Sequence, residues 1–429
     1  MPTITNFLKG ISFENVKGTL FNFGFRVGGI FAKFLLVVYI SKEMSLEALG
    51  LYNIVAVTVA WSVYVIGFEF YAYSLRQIVG ESPDVVAGHV FNQLAFHFTG
   101  FSFLLLLSPL LVILDFVPLE VLHYFILITI FDQMSQECFR ILIALERSQF
   151  ANFIYLLKSG LWVYPLLLLP TVFGWDINIH LILGSWVAGT VLSFFFGLWK
   201  LWTLRILRFR SVTLNIAWIR QGIVVAFPFL IISIAQQAMD FSDRYLIDYF
   251  LGKTEVGVYS FYYGIASVPT TLITSVLVAQ YYPRVINVFK FDRPEAEKRD
   301  VIKRFLWQCI GLAIITSGAA VVLINPLLNF INRKELLDQI SLFYLMLLQV
   351  IMFAVQVVVQ TILYAKHFDR ALLYSALAGA IINIGLNIWL IPVLGLYGAT
   401  LSTIVAMLLI LTIRTIVYYT QKKIIHERI

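Results

Sequence analysis

The chain is a succession of long apolar runs separated by short polar stretches. About twelve runs are long enough to cross a bilayer as helices: 18–40, 51–73, 86–114, 118–145, 150–172, 178–203, 217–250, 256–280, 304–325, 337–365, 370–391 and 395–420. The runs are unbroken rather than alternating, so they predict helices, which satisfy their own backbone in lipid, and not barrel strands. The expected fold class is an all-α polytopic membrane protein.

An even number of spans leaves both termini on one side. With that threading, 19 basic residues fall on the side of the termini and four, Lys42, Lys253, Arg333 and Lys334, on the other. The imbalance puts both termini in the cytoplasm. The longest connections, "TLRILRFRSVTLNIA" and "PRVINVFKFDRPEAEKRDVIKR", lie on that side, and the largest outer loop is "NPLLNFINRKEL". None of them holds a folded soluble domain, so the function must reside in the membrane.

Composition agrees. Of 429 residues 60% are hydrophobic and 13% charged, and the mean hydropathy is +0.87, far from a soluble domain. The net charge of +7 belongs to cytoplasmic loops and implies no nucleic-acid partner. Cys138 and Cys309 stand in apolar runs and read as small buried residues, with no disulfide framework or CxxC site. The opening "MPTITNFLKGISFENVKG" lacks a signal-peptide pattern. No P-loop or HExxH occurs, which argues against an ATP-driven pump or a metalloenzyme.

One element recurs. "EALGLYNIVAVTVAW" precedes the second span and "TEVGVYSFYYGIASV" the eighth, each a Glu followed by Gly-x-Tyr. The copies stand nearly half the chain apart and predict two six-helix lobes, 1–207 and 208–429, related as parallel repeats. Gly50 and Gly257 are expected to turn the chain into the next helix. Tyr52 and Tyr259 are expected at the membrane interface, in a structural role.

Costly polar residues share helix faces. Asn22, Arg26 and Lys33 form one stripe. Asp132, Gln136 and Arg140 form another, beside Gln133 and Glu137. Gln236, Asp240, Arg244 and Asp248 recur every four residues, with Asp243 alongside. Gln349, Gln356 and Gln360 share a face, as do Asn383 and Asn387. Such faces suit a water-filled cavity. Two arrangements stay open for several of them. Glu137 with Arg140, and Asp240 with Arg244, have the spacing to pair within their own helices. Arg26, Lys33 and Lys158, on spans without a carboxylate, either line a substrate path or pair with Glu69 or Asp132. Arg244 falls near the outer end of its span, and Lys200, Arg220 and Arg414 near cytoplasmic ends, where snorkelling is cheap. His89 and His97 read as hydrogen-bonded packing residues rather than a proton relay. Unpaired cations in a membrane cavity suit an anionic substrate.

Several stretches resemble a known family: "LGLYNIVAV" at 49–57, "VIGFEFYAYSLRQIVG" at 65–80 with its Gly67-to-Arg76 spacing, "DRYLIDYFLGKTEVGVYSFYYGIA" at 243–266, and "AGAIINIGLNIWLIPVLGLYGATLSTIVA" at 378–406. In this order they resemble the Wzx-type O-antigen flippases of the multidrug/oligosaccharidyl-lipid/polysaccharide exporter superfamily, which also holds the MATE transporters and the lipid II flippases. Twelve spans fit the Wzx branch better than lipid II flippases, which usually carry two more. Glu69 departs from the pattern, standing where the family more often has an apolar or small residue.

The resemblance implies a MATE-like fold and a non-enzymatic flippase in the bacterial inner membrane. Its cargo would be an undecaprenyl-diphosphate-linked oligosaccharide. Membrane lipids, a polysaccharide polymerase and a chain-length regulator would be its partners. It implies no cofactor, and whether Na⁺ or H⁺ is coupled stays open. On this reading Arg26, Lys33, Arg140, Lys158 and Arg244 contact the substrate. Glu69, Asp132, Glu137, Asp240, Asp243, Asp248, Gln349, Gln356 and Asn383 line the cavity or serve coupling. Two other functions are weighed against it. A MATE-like drug or cation antiporter would present a carboxylate-dominated site. A membrane polysaccharide polymerase would need a larger outer loop.

Overall fold

The computed structural model describes residues 13–207 and 213–426, and among these it is helical throughout, joined by short turns. In chain order the elements are α1 (Phe13–Glu43), α2 (Leu46–Gly67), the short α3 (Tyr71–Ile78), α4 (Pro83–Ile113), α5 (Leu122–Ala144) and α6 (Ser148–Leu156). A π-helical turn at Leu157–Leu161 leads into α7 (Val163–Phe173), followed by α8 (Ile179–Thr203), α9 (Ile216–Leu251), α10 (Lys253–Ala266) and α11 (Val268–Leu272). A second π-helical stretch, Ile273–Val278, leads into α12 (Ala279–Lys290), and then come α13 (Glu295–Ile331), α14 (Lys334–Asp338), α15 (Ile340–Ala365), α16 (Asp369–Leu394) and α17 (Leu396–His426).

Among the described residues, 10 helices are long and apolar enough to cross a membrane, or 11 when Lys253–Ala266 and Val268–Lys290, bent by 40°, count as one span. The fourth expected run, α5, is 23 residues long but falls outside that set because the polar stretch from Asp132 to Arg140 interrupts its apolar surface. This is a multi-pass membrane protein. Two expected loops are mostly helix instead. Within 283–304 only 291–294 lie between helices, and 325–331 continue α13. Lys298 closes the first of these connections by pairing with Asp292 at 2.6 Å and Glu295 at 3.0 Å. Its hydrogen bond holds the Asp292 carboxyl below the ordinary carboxylate range.

The chain forms two compact units, one comprising the described part of Met1–Leu36 with Val55–Ile231, the other Val37–Ile54 with Ile232–Ile429 as far as described. In the first unit α5 packs on α8. Gly197 permits the close approach, since a Cβ there would lie 2.7 Å from that of Cys138, and Ser135 and Ser193 hydrogen-bond across the contact. Cys138 is buried with Ile78, Val86, Ile141, Leu142 and Ile154. In the second unit α17 packs against α15 and α16, and Cys309 is buried in α13. Arg333 caps the end of α1, donating to the carbonyls of Ser41, Lys42 and Met44 as a cation at a helix C-terminus does.

The repeated glycines do not turn the chain. Gly252, with φ 92°, makes the turn before α10, and Ser45 caps α2 by accepting from the Ala48 N–H. Gly50 and Gly257 lie inside helices and pack reciprocally in the second unit. A Cβ on Gly50 would sit 1.9 Å from the Lys253 carbonyl oxygen, and one on Gly257 would sit 2.0 Å from that of Leu46. Each glycine therefore meets the carbonyl four residues before the other. Backbone on both sides leaves nothing to yield. Gly257→Ala is expected to lower stability by about 1–3 kcal/mol or more, the cost of overpacking, read as a drop in the melting temperature of the detergent-purified protein. An unchanged melting temperature would contradict the contact. Tyr52 and Tyr259 are packed inside the protein, 7% and 1% exposed.

Candidate functional site

Each unit encloses its own polar cavity. In the first, a space of about 150 Å³ is lined by Ala60, Val63, Tyr64, Gly67, Glu69, Asp132, Gln136 and Arg140. A break in the second span forms part of its wall. α2 stops at Gly67, Phe68 and Glu69 adopt left-handed φ of 52° and 53°, and α3 resumes at Tyr71. Two such residues in succession cost on the order of 1–3 kcal/mol each, so the break is held by its surroundings. Gly67 admits Gln133, whose Nε2 would lie 2.9 Å from a Cβ at that position.

Both polar rows of α5 are used. Lys158, in the π-helical turn, pairs with Asp132 at 3.0 Å and donates to Gln136 Oε1 at 2.6 Å. Glu137 accepts from Arg140 Nη1 at 2.7 Å, Gln133 Nε2 at 2.9 Å and Gln93 Nε2 at 2.5 Å. The Arg140 guanidinium also covers the Tyr71 ring at 3.7 Å, a cation–π contact. Of the two arrangements open for Lys158, pairing is the one found. Glu137 and Arg140 pair within their helix.

Arg26 and Lys33 are exposed. Arg26 Nε donates to Asn152 Oδ1 at 3.3 Å, and neither cation has an ion-pair partner within 4 Å among the described residues. The side chain of Asn22, the third member of their stripe, lies outside the described residues. His97 is fully buried, with Nε2 3.7 Å from the Glu137 carboxylate, a packing position beside the ion pair of α5. His89 stacks on Trp218.

The second unit holds a larger cavity, about 240 Å³, whose polar lining is Gln236, Asp240, Asp243, Tyr263, Ser267, Thr270, Gln349, Gln356, Gln360 and Thr403. Asp243 is its most heavily bonded group. It accepts from Tyr259 Oη at 2.6 Å, Asn387 Nδ2 at 2.6 Å and Thr403 Oγ1 at 3.2 Å. Asn383 donates to Thr403 Oγ1 at 3.2 Å and accepts from Ser242 and Asn387. Four helices, α9, α10, α16 and α17, thus converge on one carboxylate. A carboxylate, carboxamide oxygens and a hydroxyl are hard donors of the kind that hold an alkali cation or a proton.

Asp240 and Arg244 do not pair through their side chains. Arg244 Nη1 donates to the main-chain oxygen of Asp240 at 2.6 Å, while Gln236 Nε2 donates to the Asp240 carboxylate at 3.2 Å. Arg244 is 4% exposed and lies over the Tyr263 ring at 4.3 Å, so it is packed rather than snorkelling. Asp248 faces Lys253 at 3.6 Å. Gln349 donates to the Thr400 carbonyl at 3.1 Å. Arg414, expected as an anchor, is also buried, and its partners are Ser375 Oγ at 3.0 Å and Gln360 Oε1 at 2.9 Å.

Residues 16–289 match the model of a family described as polysaccharide biosynthesis protein. The chain belongs to that family. No curated protein matches it by sequence. Among solved structures, this polysaccharide biosynthesis protein is similar to an inward-facing multidrug resistance MATE family transporter of the MOP superfamily, at 12% identity and a TM-score of 0.75, covering 92% of this chain and 96% of that one. It is also similar to the lipid II flippase MurJ in an inward closed conformation, at 14% identity and a TM-score of 0.70, covering 94% and 87%. A MATE transporter of Vibrio cholerae matches at 12% identity and a TM-score of 0.59, covering 95% and 98%. The fold is therefore MATE-like, as the motifs implied.

Sequence reasoning missed three contributors to the Asp243 cluster of this family member. Spacing alone places neither Tyr259, expected in a structural role, nor Thr403 and Asn387 beside Asp243. Asn387 carried a signal, one turn from Asn383. Thr403 carried none, because a lone hydroxyl in an apolar helix most often bonds its own backbone.

Proposed function

We propose that this chain is a flippase that moves an undecaprenyl-diphosphate-linked oligosaccharide from the cytoplasmic to the outer leaflet by alternating access, for O-antigen or another surface polysaccharide. The observation that carries the reading is a polysaccharide-biosynthesis chain folded like a transporter, with polar cavities inside its helices. Arg26 and Lys33, with no carboxylate within 4 Å among the described residues, suit the diphosphate, which takes charge-assisted hydrogen bonds. The Gln and Asn faces suit sugar hydroxyls. A potential negative inside drives an anion outward by about 2.3 kcal/mol per charge per 100 mV. Expression in a strain lacking its own flippase, scored by surface polysaccharide at matched protein level, tests the reading. Absence of polysaccharide in every such background would count against it.

A second reading rests on Asp240 and Asp243. Two carboxylates at the larger cavity are what a cation or drug antiporter needs, and they also suit a coupling ion, Na⁺ or H⁺, in a flippase. Export of ethidium without restoration of polysaccharide would favour the antiporter. In the proposed arrangement the protein sits in the inner membrane with both termini cytoplasmic, next to a polysaccharide polymerase and a chain-length regulator. Cysteines placed at 291–294 are expected to resist an impermeant thiol reagent applied outside intact cells, and cysteines at 332–333 to react. The reverse pattern would invert the topology.

A further inference from the structure

We propose that Arg414 and Gln360 form a binding site for a phosphate-type anion at one end of the second unit's cavity. Arg414 stands six residues before the end of the apolar span Leu396–Thr420, yet it is only 4% exposed. Buried charges are normally paired with opposite ones. Arg140 and Lys158 follow that rule. Among the described residues Arg414 has no carboxylate within 4 Å, and it bonds only the neutral Ser375 Oγ and Gln360 Oε1.

Gln360 connects this guanidinium to the cavity. Its side chain is exposed and forms part of the cavity wall, and its amide oxygen occupies a direction in which Arg414 donates. A phosphate oxygen taking that place would convert a neutral hydrogen bond into a charge-assisted one, roughly twice as strong. It would also neutralise the buried charge. Asp240 and Asp243 lie on α9, and Thr403, which binds Asp243, is on the same helix as Arg414 and 11 residues before it, about 16 Å along the axis. The cavity thus has an acidic region and, at Gln360, a wall residue behind which the buried Arg414 guanidinium stands.

The chemistry called for is a phosphate ester, and two lipids supply one: the diphosphate of the carried lipid, which rests on the flippase reading, and a bilayer phospholipid. Binding of farnesyl diphosphate, of uncharged farnesol and of phosphatidylglycerol to the purified full chain separates them. Farnesyl diphosphate is expected to raise the melting temperature of the wild type by several degrees, and farnesol to leave it unchanged. Arg414→Gln should weaken diphosphate binding at least about tenfold, as expected for loss of a charge-assisted hydrogen bond, and should raise the melting temperature of the ligand-free protein, because an uncompensated charge has been removed.

Gln360→Glu keeps the arginine and supplies an internal carboxylate. It should also raise the ligand-free melting temperature and weaken binding to a similar degree, which keeps the test decisive if Arg414→Gln does not fold. If only phosphatidylglycerol binds in an Arg414-dependent way, the anion site stands and its occupant is the bilayer lipid. Equal affinity of the wild type and Gln360→Glu for both lipids would overturn the proposal. If such a chain still restored surface polysaccharide, the flippase reading would survive without this site.

Discussion

Lys158→Met is expected to destabilise the protein by about 3 kcal/mol, because it strands Asp132 in the first unit's cavity wall with its charge uncompensated. Lys158 is 6% exposed and gives Asp132 and Gln136 their common donor. The double variant Asp132→Leu, Lys158→Met should recover most of that loss, since replacing both partners of a buried pair by apolar groups is often neutral. Thermal unfolding of the wild type, both single variants and the double variant measures the coupling. A double variant less stable than Lys158→Met would show that the two residues act independently.

Arg26→Ala combined with Lys33→Ala is expected to reduce surface polysaccharide about a hundredfold while the protein stays in the membrane at its normal level. Neither cation has a carboxylate within 4 Å among the described residues, so their removal strands no opposite charge. The loss would instead come from two charge-assisted contacts to the diphosphate, each worth about 1.5–3 kcal/mol. Arg26→Lys should retain more export than Arg26→Ala if charge outweighs bidentate geometry. Wild-type export by the double variant would remove both residues from the substrate path.

The helices were legible because each long apolar run has only one way to satisfy its backbone in lipid. The rows on α5 were legible as well, since four-residue spacing fixes a shared face. What spacing does not reveal is which neighbouring helix answers a face. Lys158 meets Asp132 from a π-helical turn on another span. Asp240 and Arg244 have ideal spacing for a pair, yet Gln236 takes the carboxylate and the arginine turns to the main chain. Asp240→Ala leaves that main-chain acceptor in place, so rescue between the two positions is not expected.

The repeated Gly-x-Tyr was visible as a repeat, but its purpose was not. A glycine that permits a close helix crossing reads in sequence like one that makes a turn, and only the opposing backbone tells them apart. The break at Phe68 and Glu69 left only Gly67 and the charge of Glu69 as signals, because no proline interrupts the apolar run there. Arg414 looked like an anchor from its distance to the helix end, and packing against α15 and α16 buries it instead.

The central claim is tested most directly by the purified chain in proteoliposomes holding an undecaprenyl-diphosphate oligosaccharide labelled on its sugar. The wild type should speed movement of the labelled headgroup between leaflets, and the Arg26→Ala, Lys33→Ala variant should not. Headgroup movement no faster than in protein-free liposomes, with ethidium transported by the same preparation, would contradict the flippase account.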